Sequence, residues 1–256
     1  MPMDFCATKT NRIMKQNEGL ANKRVVVLGG SVGIGFATAK AAAEAGAKVV
    51  VVSSNQQRIN HAVQQIGANA EGHVADLGDE QQTKQLLEML GNFDHLVFTA
   101  GENIKTGALQ NMSLDDARQF FNLRYWGAVA AVKYGAPHIN KGGSIVLTSG
   151  GSGRRPGKGW FLGASICAAM EGFTRAMAVE LAPLRVNLVC PGLVRTNLWD
   201  SMPETDRENI YSAFSKLLPV QRIGEPEDIA QAYLYLMQQG YSTGEVVIVD
   251  GGGMLA

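Results

Sequence analysis

The sequence predicts an α/β protein: a doubly wound, seven-stranded, mostly parallel sheet with helices on both faces. Three observations carry this. Seven short apolar runs rich in β-branched residues recur along the 256 residues. They are continuous rather than alternating, as suits strands covered on both faces. Helical patterns separate them, and strand–helix alternation along a whole chain builds a parallel sheet with crossover helices.

In order, the strand candidates are 24–28 (RVVVL), 48–52 (KVVVV), 72–76 (GHVAD), 95–99 (HLVFT), 144–148 (SIVLT), 185–190 (RVNLVC) and 245–250 (EVVIVD). Helical patterns cover 33–45, 55–67, 79–90, 113–138, 164–182 and 226–239. The last shows both ends of a helix: Pro226 with Glu225, Glu227 and Asp228 at its start, and Gly240 just past its end. One segment, 193–224, breaks the rhythm and is too long for a simple turn. It is the natural place for a substrate-covering lid. No linker or internal repeat interrupts 21–256, which reads as one domain. Residues 1–20 lack the apolar stretch of a secretory signal. They read as an N-terminal arm, either loosely held or packed on a neighbouring subunit.

Composition removes several classes of function. Lys+Arg and Asp+Glu balance at 23 each, which gives no electrostatic case for nucleic acid or an anionic membrane surface. No apolar run approaches the roughly 18–20 residues that span a bilayer. Hydrophobic residues at 46% and charged residues at 18% are ordinary for a compact soluble protein. Cys6, Cys167 and Cys190 form neither a CxxC pair nor a His-rich cluster. They read as reduced thiols of a cytoplasmic protein, with no metal site.

The first strand runs straight into "GGSVGIG", in which Gly29, Gly33 and Gly35 follow the pattern G-x-x-x-G-x-G. With Ser31, Val32 and Ile34 between them, these glycines let backbone N–H groups approach a pyrophosphate at a helix N-terminus. Dinucleotide binding is therefore expected. The second strand ends in Ser53, Ser54 and Asn55, with Arg58 one helical turn on. An acid there would bind the ribose 2′-OH and repel a 2′-phosphate. Neutral donors and an arginine favour NADP(H) over NAD(H), unless Arg58 is simply a solvated helix residue. In "FTAG", Ala100 and Gly101 are small enough for backbone to pass close under a cofactor.

With these motifs, "ADL" (75–77), "GGSIVLTSGGSG", "AMEGFTRAMAVELAPLRVNLVCPGLVRT" and the terminal "VDGGG", residues 20–256 resemble the short-chain dehydrogenase/reductase family. The resemblance implies a Rossmann sheet, a nicotinamide cofactor and a homotetramer or homodimer. It implies that Asp76 and Leu77 meet the adenine end, and that Pro191, Gly192, Val194 and Thr196 line the nicotinamide end. The family usually works with Asn, Ser, Tyr and Lys. The Tyr column falls on Gly163, the Lys column on Cys167, the Ser column on Gly150 and the Asn column on Arg124. Asn122 is out of register by two and on a helix points elsewhere. All four positions depart, so the ordinary alcohol/ketone mechanism is not carried over.

The candidates for catalysis are then Arg124, Ser149, Ser152 and Trp160. A guanidinium is no proton donor near neutral pH, but it offers five fixed donors and a charge. Beside a nicotinamide it disfavours the cationic oxidised ring; alternatively it grips a carboxylate or phosphate, or pairs with an acid at a subunit interface. Ser149 and Ser152 either bond a substrate oxygen or cap a turn. Trp160, in "GRRPGKGWF", either stacks on a flat substrate or packs. Tyr125 and Trp126 read as packing, Lys158 as a solvated loop residue or a displaced cation, and Cys167 as an inert thiol. The histidines take no role. Hydride transfer to a ketone also needs a proton on oxygen, whereas an iminium ion needs none. The reading is an NADP(H)-dependent oxidoreductase with an atypical site suited to C=N or C=C reduction. Resemblance to a divergent subgroup with Arg at the Asn column, which includes alkaloid-pathway enzymes, points the same way. The alternative is a non-redox cyclase or isomerase, or a cofactor sensor, on the same fold.

Overall fold

The structure, a computed structural model, describes residues 19–256. Cys6 and nearly all of the N-terminal arm lie outside the described residues. Leu20, assigned by sequence to the arm, is already core: it is 1% exposed and packs with Val25 and Val27.

The chain alternates as expected: β1 (Arg24–Leu28), α1 (Gly33–Glu44), β2 (Lys48–Ser53), α2 (Gln56–Ile66), β3 (Ala70–Val74), α3 (Glu80–Leu90) and β4 (Phe93–Phe98). Next come α4 (Leu114–Phe121), a π-helical turn (Asn122–Gly127), α5 (Ala128–Gly135) and β5 (Ile139–Thr148). The second half continues with α6 (Phe161–Glu180), β6 (Arg185–Pro191), α7 (Glu204–Leu217), α8 (Pro226–Gln238) and β7 (Val246–Val249). The strands form one parallel sheet in the order β3-β2-β1-β4-β5-β6-β7. Connections run outward one way from β1 and the other way from β4. The crevice beyond the carboxyl ends of β1 and β4 is therefore the topological switch point, where such sheets bind ligands. Among the described residues, no helix is long and apolar enough to cross a membrane.

Alternation along each strand feeds two cores. Val26 and Leu28 of β1 face one layer with Leu96, Phe98, Ile145 and Leu147, covered by α3, α5 and α6. Val25 and Val27 face the other with Val97, Val146 and Val189, covered by α1 and α8. Ala39, Ala42 and Ala43 keep α1 thin enough to lie close on β1 and α8.

Three departures from the sequence reading matter. The third strand lies at 70–74, two residues before the expected 72–76, because the "ADL" segment turns away from the sheet. Asp76 Oδ1 accepts from the Gly78 N–H at 2.9 Å and fixes that turn. The expected helix 113–138 is interrupted at 122–127. A Cβ at Gly127 would stand 2.5 Å from the Leu77 carbonyl, and Asn122 Nδ2 donates to the Gly78 carbonyl at 2.9 Å. The helix widens by a π turn where it is drawn onto the turn after β3. Finally, 193–224, for which the sequence predicts no helix or strand, is a folded flap. Val194 bridges to Gly224 at its base, Trp199 Nε1 donates to the Val194 carbonyl at 3.2 Å, and α7 completes it.

Candidate active site

The glycine loop is built around backbone contact with the end of β4. Gly29 has φ +89°, and a Cβ there would lie 2.5 Å from the Ala100 amide nitrogen. At Gly35 a Cβ would stand 2.2 Å from the Gly29 carbonyl oxygen and 2.4 Å from Thr99 Oγ1. No other residue fits without moving main chain. α1 begins with no side-chain cap at Val32 and no acid in its first turn. Asn55, Asp79 and Ser113 cap α2, α3 and α4. The uncapped N–H groups of α1, at the switch point, suit an anionic pyrophosphate. Ser31 is buried, with Val32 and Ile34 half-buried beside it.

At the end of β2, Asn55 Oδ1 accepts from the Arg58 N–H at 3.0 Å, and Ser53 Oγ accepts from the Asn55 N–H at 3.4 Å. Ser54 and the Arg58 side chain are exposed, and no carboxylate occurs between 53 and 58. From the far side, Thr196 lies over the loop, its methyl carbon 3.4 Å from the Cβ position of Gly33. Its Oγ1 accepts from the Leu198 N–H at 3.3 Å. Pro191 ends β6, and Gly192 passes so close to Asp250 that a Cβ would meet its Cα at 2.7 Å. The loop, Ala100, Gly101 and Thr196 thus surround one crevice, with Asp76 and Leu77 at the turn beyond β3. These features fit a dinucleotide.

Beyond the crevice the π turn aims Arg124 across Gly101. Its guanidinium would lie 2.8–3.1 Å from a Cβ at Gly101 and sits 4.9 Å from the Phe120 ring centre. Nη2 donates to the Glu102 carbonyl. Nε lies 3.6 Å from the Glu102 carboxylate and is buried without a hydrogen bond. Burial pulls the Arg124 pKa down, opposed chiefly by the nearby Glu102 carboxylate. Burial likewise pushes the Glu102 carboxyl above the ordinary glutamate range, opposed mainly by its own backbone N–H and by Arg124.

Cys167 stands on α6, near enough to feel this charge. Burial raises its thiol pKa, and Ser152 Oγ donates to its sulfur at 3.5 Å. One turn earlier, a Cβ at Gly163 would meet Ser152 Oγ at 3.5 Å and Trp160 Cε3 at 3.8 Å. Trp160 in turn packs on Trp199 of the flap, ring centres 6.1 Å apart, with Ile104, Leu198 and Met202 in the same apolar cluster. Arg124, Ser152 and Trp160 therefore converge around Gly163 and Cys167. Ser149 stands apart: its hydroxyl is buried toward the Cys190 thiol and makes no hydrogen bond of ordinary geometry. Burial pushes that thiol up to about 11. Two loop arginines are occupied structurally. Arg154 grips Glu171 at 2.8 and 3.0 Å, and Arg155 donates to the Gly253 carbonyl at 2.7 Å. Lys158 is exposed. Tyr125 packs against Phe121, Trp126 and Phe173, as expected of a packing residue.

The sequence reading missed Glu102 and the role of Asn122. An acid directly after "TAG", at the carboxyl end of a central strand, was the available signal for Glu102. Its partner is 22 residues away and reaches it only through the π turn. No one-dimensional spacing links the two.

Comparison with known proteins agrees with this architecture. A family model described as enoyl-(acyl carrier protein) reductase matches residues 29–253. The short-chain dehydrogenase/reductase fsr5 of Gibberella fujikuroi is 33% identical over 255 residues, covering 93% of this chain and 96% of that protein. The short-chain dehydrogenase/reductase ATR9 of Stachybotrys chlorohalonatus is 34% identical, covering 92% and 98%. Among solved structures, a small-chain dehydrogenase in complex with NADPH is 37% identical with TM-score 0.79, covering 92% of this chain and 100% of that one. MalC reductase/Diels-Alderase from Malbranchea aurantiaca is 30% identical with TM-score 0.86, covering 93% and 98%. The chain belongs to the short-chain dehydrogenase/reductase family, an oxidoreductase family with NADPH-bound members.

Proposed function

We propose that the protein is an NADP(H)-dependent oxidoreductase that reduces a C=N or C=C bond of a small molecule at an atypical site. The observation that carries this reading is a fitted dinucleotide cradle with the buried Arg124 guanidinium at its mouth, facing an α6 that contains neither tyrosine nor lysine.

In this reading Gly29 to Gly35 and the N-terminus of α1 hold the pyrophosphate. Ser53, Ser54, Asn55 and Arg58 receive the 2′-phosphate, and Asp76 and Leu77 meet the adenine. Ala100 and Gly101 lie beneath the cofactor, and Pro191, Gly192, Val194 and Thr196 border the nicotinamide. The reduced nicotinamide supplies a hydride. Arg124 favours the neutral reduced ring over the cationic oxidised one, and can stabilise the enolate oxygen that forms when an enone is reduced. Ser152 offers a hydroxyl to the substrate, and Trp160 forms a flat wall. Ser149, turned toward Cys190, supports the Ser152 turn rather than touching substrate. The flap 193–224 covers the site as a lid. Trp126 at 59% exposure and Val179 at 80%, on the outer faces of the π turn and α6, support assembly into a homodimer or homotetramer.

A non-redox cyclisation guided by the bound cofactor is the second reading, favoured by the 30% identity to a reductase/Diels-Alderase. One assay separates the two. NADPH at about 100 times its Kd should add roughly 2.7 kcal/mol of stability. The loaded protein should then consume NADPH with imines, iminium salts or enones and not with simple ketones. Binding without consumption across the panel overturns the redox reading, and loss of the thermal shift overturns both.

A further inference from the structure

We propose that Glu102 is the proton donor of this site, acting on the nitrogen of a neutral imine, with Arg124 holding the carboxylate that remains. This rests on the C=N reading above and extends its substrates to uncharged imines, beyond preformed iminium ions.

The placement comes from the fold. Glu102 follows Gly101, just past β4, at the switch-point crevice. Its main chain is fixed because Arg124 Nη2 donates to its carbonyl. Its carboxylate lies 3.6 Å from Arg124 Nε, a buried donor with no hydrogen bond. A small rotation of the carboxylate converts that contact into a charge-assisted hydrogen bond, so the site holds an unused donor for the base form. The Glu102 side chain is 44% exposed, so water can return the proton. Arg124 is walled by Phe120 and Gly101.

The other charges facing Glu102 are few. Lys105 acts on it but is paired with Asp116 at 3.3 Å, and Asp76 opposes its ionisation. Partial burial raises the carboxyl pKa above the ordinary glutamate range, opposed by its own backbone N–H, Arg124 and Lys105. A carboxyl shifted in this direction is a better proton donor than an ordinary glutamate, in a site whose tyrosine column is glycine.

The step balances. The Glu102 O–H bond breaks and an N–H bond forms, giving an iminium ion and a carboxylate beside Arg124. The iminium carbon takes one hydride, a hydrogen with its two electrons, from the reduced nicotinamide, so C=N becomes CH–NH. Solvent returns one proton to Glu102.

The test uses a matched pair with the full chain at neutral pH: an indolenine, which is a weakly basic cyclic imine, and its N-methyl indolium salt, which needs no proton. The wild type reduces both. Glu102→Gln should lose indolenine reduction by about 100-fold or more. It should keep indolium reduction and NADPH affinity within about threefold, and Glu102→Asp should recover part of the loss. In the cofactor-free protein, carboxyl-labelled glutamate should show one resonance titrating above the rest by NMR, absent in Glu102→Gln. An equal fall with both probes, no fall with either, or no such resonance overturns the inference. Wild-type reduction of indolium but not indolenine also overturns it and leaves the C=N reading standing. Reduction of neither overturns both.

Discussion

Two glycines of α6 offer a direct probe of the gap beside Trp160. Gly172 is exposed, with nothing within 4 Å of its Cβ position. Gly172→Ala should therefore stabilise the protein by about 0.5–1 kcal/mol and leave turnover unchanged. At Gly163 the new methyl meets only Ser152 Oγ at 3.5 Å and Trp160 Cε3 at 3.8 Å, both ordinary contacts. Gly163→Ala should stabilise to a similar degree but reduce turnover about tenfold or more, since substrate in that space is displaced. Melting curves and initial rates measure both, and equal effects on turnover would remove Gly163 from the site. A second residue sets acid sensitivity. His95 is buried against Ser144 Oγ at 2.9 Å, and burial lowers its pKa to about 4, with Arg185 and Lys23 adding to it against Asp94. The folded state thus keeps it neutral while the unfolded chain binds a proton below about pH 6.5. Stability should be complete above that pH and fall on acidification toward pH 4, by about 3 kcal/mol in all. His95→Gln should flatten that part of the pH–stability curve.

At the scale of elements, legibility in the sequence followed periodicity. β1, β2, β6 and α8 fell where their apolar runs and end signals placed them, because burial on both faces and caps are local. β3 was displaced because its edge position leaves Glu71, Gly72 and Val74 exposed, so hydrophobicity does not mark its ends. The π turn was invisible because its cause, Gly127 against the Leu77 carbonyl, lies 50 residues away in sequence. The same applies to the site: the glycine loop is a local motif, whereas the Arg124–Glu102 pair exists only once β4 and the π turn meet. The short turn Gly151–Gly153 carries Ser152 and is braced by Arg154 on Glu171, a side chain only 10% exposed that also meets Arg175 at 3.6 Å. Glu171→Gln should destabilise by about 1–3 kcal/mol, because two guanidinium donors lose a charged partner. Thermal denaturation reads it, and NADPH affinity should not change.

For the whole molecule, the sheet order places β1 beside β4 and so puts the glycine loop, Gly101, Glu102 and Arg124 around one crevice, with the flap behind Thr196 closing the far side. The central claim is that a hydride leaves NADPH at this crevice for carbon of a C=N or C=C bond, without a tyrosine–lysine pair. Mass analysis of products formed with NADPH carrying deuterium at the transferable position of the nicotinamide tests it most directly. One deuterium should appear on the former C=N or C=C carbon of imine, iminium or enone products, and none in ketone controls. Tight NADPH binding with no deuterium in any product, or label passing preferentially to ketones, would contradict it.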